Sequence, residues 1–134
     1  MANEWTKVEL YGQNNDGDPR RYTVASGVAI SKGTLLALSD ARTAAAAASF
    51  TQPIAGIAAM DKSATDLSTS ISVWTNGVFE ASASLAIVVG LPVVSSDVAN
   101  MIAQATSTAS GAAVMGYAME TAADADVINV RLAL

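Results

Sequence analysis

The chain contains no cysteine and no histidine. Without cysteine there is no disulfide framework and no thiolate metal site. Without histidine the commonest general base and the commonest metal ligand are both missing. Charge is scarce and uneven: across residues 67–119 only Glu80 and Asp97 are charged. Long apolar runs are missing too. The longest, residues 85–94, is interrupted by Gly90 and Pro92 and falls well short of the ~20 residues a membrane helix needs. Residues 1–10 carry Glu4, Lys7 and Glu9 where a secretion signal would be apolar. The expectation is a soluble protein made in the cytoplasm, with no membrane partner.

What remains is a chain of 134 residues, the length of one domain and enough to bury a core. Its net charge of −5 sets it against phosphate backbones, so no nucleic-acid partner is expected. Alanine occurs 28 times, and serine with threonine 25 times. Small side chains with few charges suit closely packed sheets and a large protein interface, because charge is depleted where an interface is desolvated.

Residues 1–22 are polar and charged, and residues 12–19 read G-Q-N-N-D-G-D-P, a turn or loop composition. The segment reads as an arm, not a core element, whose removal would leave the body folded. Its aromatic, apolar and basic residues, Trp5, Lys7, Val8, Leu10, Tyr11, Arg20 and Arg21, are the candidate contacts to a partner. Aromatics anchor interfaces, and arginines pair with carboxylates.

The body, residues 23–134, reads as a single mainly β domain. Short apolar stretches at 24–30, 34–38, 54–60, 85–89 and 93–94 are separated by turn signals. Residues 70–74 and 127–132 alternate with period two, as half-buried strands do. Asn76-Gly77 is a hairpin signal between Trp74 and Val78. This pattern predicts a small β-barrel or β-sandwich. The alanine run 44–48 and residues 97–105 are each compatible with a short helix. Isolated helices of that length are marginal, and strand or irregular structure is favoured for both.

An internal order occurs twice. G-T-L-L-A-L-S-D at 33–40 corresponds to G-L-P-V-V-S-S-D at 90–97, and Gly56-Ile57-Ala58 to Gly116-Tyr117-Ala118. Each copy continues into an acidic loop and an alternating strand. In this register the alanine run matches residues 99–108. The body therefore reads as two pseudo-repeated halves, about 24–80 and 81–134.

Catalytic signatures are absent: no Ser-x-x-Lys, no Gly-x-Ser-x-Gly, no phosphate-binding glycine loop. The carboxylate pairs Asp16/Asp18, Asp61/Asp66 and Asp124/Asp126 are the residues on which a hard-cation site would have to be built. They read first as turn formers. The expectation is no enzyme and no cofactor, with a small hydrolase or cation-dependent binder on these loops as the competing class.

Several segments resemble the capsid cement, or head-decoration, proteins of tailed phages. They are Val24-Ala25-Ser26-Gly27-Val28, Gly33 with its strand, Gly56-Ile57-Ala58 and Asn76-Gly77-Val78-Phe79-Glu80. Gly116-Tyr117-Ala118-Met119-Glu120-Thr121-Ala122 and the closing Val127-Ile128-Asn129-Val130-Arg131-Leu132 complete the set. That family similarly shows a G-V-F-E strand and a G-x-A-x-E-x-A segment ending in V-R-L. The resemblance implies a barrel or β-tulip-like body that assembles as a homotrimer on the capsid exterior. Its partner would be the major capsid protein, whose capsomers it ties together. A subunit of another ordered assembly, such as a phage tail or a surface array, is the alternative within the same class.

Overall fold

A computed structural model describes residues 3–105 and 113–134. Eleven strands are formed: β1 Thr6–Leu10, β2 Arg20–Thr23, β3 Leu35–Asp40, β4 Thr43–Ala46, β5 Ile54–Ala58, β6 Ser70–Trp74, β7 Asn76–Ala83, β8 Pro92–Ser95, β9 Met101–Gln104, β10 Gly116–Ala118 and β11 Val127–Ala133. No helix occurs among the described residues. The fold is mainly β, as the periodicity predicts.

The strands close into two barrels. β2, β4, β3, β5 and β6 form the first, sealed by a parallel pairing of Thr23 with Thr43. The second follows the order β7-β11-β10-β8-β9, and parallel pairing of Ser82 and Ala83 with Met101 and Ile102 returns β9 to β7. β1 is an additional strand on β7. Both barrels follow one plan. The first strand pairs antiparallel with the fifth and parallel with the third; the second pairs with the third and fourth; the fourth pairs with the fifth. Even the isolated bridges correspond, Ile30 with Lys62 and Ile87 with Ala122.

Alternation sets the faces. In β6 Ile71 and Val73 point inward, and in β11 Ile128, Val130 and Leu132 do so. Alanine's helix propensity is overridden in β4. Ala44, Ala45 and Ala46 pair with Leu38, Ala37 and Leu36, and a ladder to a buried strand outweighs the few tenths of a kcal/mol per residue that propensity supplies. The matching stretch in the second barrel is β9. Residues 106–108 of that match, like residues 1 and 2 of the arm, lie outside the described residues.

Four expectations are corrected. Asn76-Gly77 does not turn a hairpin, because β6 pairs with β2 and β5 while β7 pairs with β11 and β1. Each strand's edges are already occupied there, and Thr75 is the crossing between barrels. The halves therefore divide at Thr75, not at residue 80. The apolar stretches 24–30 and 85–89 are loops that each make a single bridge. Finally, residues 1–22 do not form a free arm. β1 is laid on β7, β2 is a stave of the first barrel, and Trp5 is only 4% exposed.

One continuous core spans both barrels. Leu35, Ile54, Ile57 and Trp74 of the first barrel meet Phe79, Ile102, Met115 and Leu132 of the second, with Trp5 between them. Trp5 and Trp74 lie 6.2 and 5.6 Å from Phe79, ring centre to ring centre, in tilted geometry. The first barrel keeps a smaller interior of its own, around Leu36, Ala55, Ile71 and Val73.

Gly56 and Gly116 hold the same place in the two barrels. A side chain there would collide with the carbonyl of Trp74 and of Arg131, respectively, on the neighbouring strand. Lys62 has no counterpart: position 122 is alanine. Its buried Nζ donates to the carbonyls of Ser26, Val28 and Asp66 at 2.9, 3.0 and 3.1 Å. It thereby ties the wider loop of the first barrel. Replacing Lys62 with Met is expected to lower stability by about 3 kcal/mol, read from denaturant midpoints, as three carbonyls lose a charged donor. Gly116→Ala should cost about 2 kcal/mol or more through overpacking, while Gly90→Ala, with open space around it, should cost less in the same assay.

Candidate functional site

β1 is the edge of the second barrel's sheet. Its inner edge pairs with β7, and its outer edge pairs with nothing among the described residues. Thr6, Lys7, Val8 and Glu9 are all exposed, Val8 by 52%. The register slips between Lys7 and Glu9, and flanking charges with a bulge limit indiscriminate strand addition at such an edge.

The candidate contact residues divide into groups. Trp5 leaves the set: its Nε1–H donates to the Asn100 carbonyl at 2.9 Å and its ring is buried, so it anchors the segment to its own body. Leu10 packs against the core. The Tyr11 ring lies 4.6 Å from the Arg131 guanidinium, which makes this aromatic a platform for its own chain. Lys7 remains on the surface. Its Nζ and that of Lys32 lie 5.8 and 5.5 Å from the Trp74 ring centre, beside Glu4 and Thr6 in one hollow. Arg20 and Arg21 are exposed on β2 of the first barrel. Arg21 donates to Ser72 Oγ, and Arg20 lines a cleft between the barrels with Tyr22, Leu38, Ile54 and Leu134. The structure thus gathers the residues around β1 and sets the two arginines on the other barrel.

The acidic loops act as turn formers. Asp61 accepts from the Lys32 backbone N–H at 2.7 Å, Asp66 from Ser68, Asp124 from Leu85 and Asp126 from Ala123. No cluster of three acidic residues with metal-binding spacing occurs among the described residues.

A surface that residue-by-residue reading missed lies on the second barrel. Gly90 N–H donates to the Ala118 carbonyl and Ala118 N–H to that of Leu91, at 2.7 and 3.1 Å. Residues 87–92 are thereby laid against 117–122. Val88, Val89, Leu91, Tyr117 and Met119 are all exposed along this seam. The signal was present in the longest apolar run and the charge-poor stretch, but neither says which side of a strand faces outward.

The phage cement protein family model matches residues 15–134. The chain belongs to the phage cement protein family. Cement proteins are structural components associated with the phage capsid, and the barrels described above are this chain's form of that fold. The match begins inside the loop between β1 and β2, so β1 precedes it. The fold is also similar to the crystal structure of the head fiber gp8.5 N base in bacteriophage phi29. The TM-score is 0.56 at 16% identity, over 86% of this chain and 94% of that one. No curated protein matches the sequence. In this cement protein, Trp5→Phe keeps an aromatic ring but removes the bond to Asn100. It is expected to lower stability by about 1–3 kcal/mol, whereas Val8→Glu should change it by no more than about 0.5 kcal/mol, both by thermal or denaturant unfolding.

Proposed function

We propose that this cement protein binds the outer surface of the capsid as a trimer and stabilises the shell by cross-linking neighbouring capsomers, with no catalytic role and no cofactor. The family match over residues 15–134 carries the reading. The free edge of β1 supports it physically. An extended segment of the major capsid protein can add to Thr6–Leu10 through backbone hydrogen bonds, with side chains such as Lys7 and Val8 selecting it. Leu10 ties the end of that strand to the core and Tyr11 rests on the Arg131 guanidinium, while Arg20 and Arg21 offer charged donors to carboxylates at a second contact. Three copies of a weak site engaged together reach high avidity without any further contact.

The test is co-sedimentation with capsids of its own phage assembled without it. Wild type is expected to pellet with the shell and raise its resistance to heat or chelation. Lys7→Glu combined with Val8→Glu should weaken binding about tenfold or more while the free protein melts unchanged. A wild-type chain that leaves such capsids bare defeats the reading; equal binding by the double variant removes β1 from the contact. Deleting residues 1–22 is uninformative here, since the loss of β2 and Trp5 is expected to unfold the first barrel.

A further inference from the structure

The two barrels share a plan, yet their equivalent faces are not treated alike. Gly33 and Gly90 occupy the same turn with φ of +90° and +84°. Gly33 N–H donates to Ala58 and Gly90 N–H to Ala118; Thr34 N–H donates to Ser31 and Leu91 N–H to Val88. In the first barrel this face is covered. The Gly33 carbonyl accepts from Trp5 N–H at 2.8 Å, Leu35 N–H donates to Asn100 Oδ1 at 2.8 Å, and a side chain on Gly33 would strike the Trp5 backbone. Thr34 and Ile57 are both 0% exposed. In the second barrel the same face is open. A side chain on Gly90 would meet nothing within 4 Å among the described residues, and Leu91 and Tyr117, which stand in for Thr34 and Ile57, are 39% and 45% exposed.

The chemistry of the face has changed with its cover. Ser31 and Lys32 are replaced by Val88 and Val89, and Ala59 by Met119. Leu35, whose N–H needs an acceptor, is replaced by Pro92, which has no N–H to satisfy. The open face therefore asks for apolar contact, not for a polar cap. A contiguous exposed apolar patch on a charged protein marks an interaction surface.

We infer that the Val88-Val89-Leu91-Tyr117-Met119 face is the self-association surface, covered in the assembled protein by a second copy of this chain. This deepens the trimer reading above and rests on it. Two observations favour a second copy. The contact continues a packing mode that the chain already makes with itself, where the second barrel and β1 cover the first barrel. And at a net charge of −5, copies repel wherever their carboxylates approach. The five side chains of this face carry no charge, and the neighbouring Glu120 accepts from the Asn129 backbone N–H at 2.8 Å, so copies can meet here with few like charges brought together.

Sedimentation velocity over a concentration series up to about 100 µM tests this. Wild type is expected to sediment at a multiple of its 13.6 kDa mass. Leu91→Glu and Tyr117→Glu, both at exposed positions and so compatible with folding, should dissociate it, weakening self-association on the order of 100-fold. Val127→Glu, exposed on the same barrel in the hollow lined by Glu4, Thr6 and Glu80, should leave the mass unchanged, and circular dichroism should show all three folded. A monomeric wild type, or glutamate variants that keep the wild-type mass, overturns the inference. So do variants that stay oligomeric and lose only capsid binding, since the face would then meet the shell. Capsid pelleting by wild type is a separate measurement, and its failure would tell against the cement reading instead.

Discussion

The fold depends on the place where Trp5, Phe79 and Trp74 meet. In a chain with only seven aromatic residues, three stand at the junction of two barrels. Each barrel by itself is a five-strand ring whose closing contact is one or two residue pairs. Rings that small enclose few side chains, and the first barrel's separate interior is correspondingly modest. The shared core removes far more apolar surface from water than either ring could alone, at roughly 25 cal/mol per Å². That is why the two repeats behave as one body.

Duplication also explains how one polypeptide presents two different surfaces from one plan. Where the first copy is covered, its turn can carry serine and lysine and leave a backbone donor and acceptor outside the strand ladder, because Asn100 Oδ1 accepts from Leu35 N–H and Trp5 N–H donates to the Gly33 carbonyl. Where the second copy is uncovered, the same turn carries valine, leucine and proline. The lysine asymmetry has a similar origin. The second barrel closes its loop directly, with Ala83 N–H donating to Asp126 and Ala125 N–H to Ala83. The longer loop of the first barrel is bridged by the Lys62 ammonium instead.

Much of this is legible in the linear chain. Period-two alternation at 70–74 and 127–132 marks β6 and most of β11 and tells which residues face inward. The recurrence of Gly33 with Gly90 and of Gly56 with Gly116 points to repeated turns and close strand approaches. The family resemblance rests on short segments that the family model spans in full. The acidic residues read as turn formers, and they accept loop N–H groups. The segment before residue 22 was the least legible. Its charge and its Gly-Asn-Asp cluster describe the 12–19 loop well, but they conceal the strands on either side of it.

The sequence alone determined what kind of chemistry is excluded, which residues alternate, and where glycine is required, because these are properties of residues and their near neighbours. Only the tertiary structure decided which strands lie side by side. It set β1 on β7, put the boundary at Thr75, turned the alanine run into a stave and left one of two equivalent faces bare. A strand's pattern identifies its buried side but carries no label for the partner at its edge. That partner is chosen by closure of the whole ring, among residues as far apart in the chain as Trp5 and Asn100.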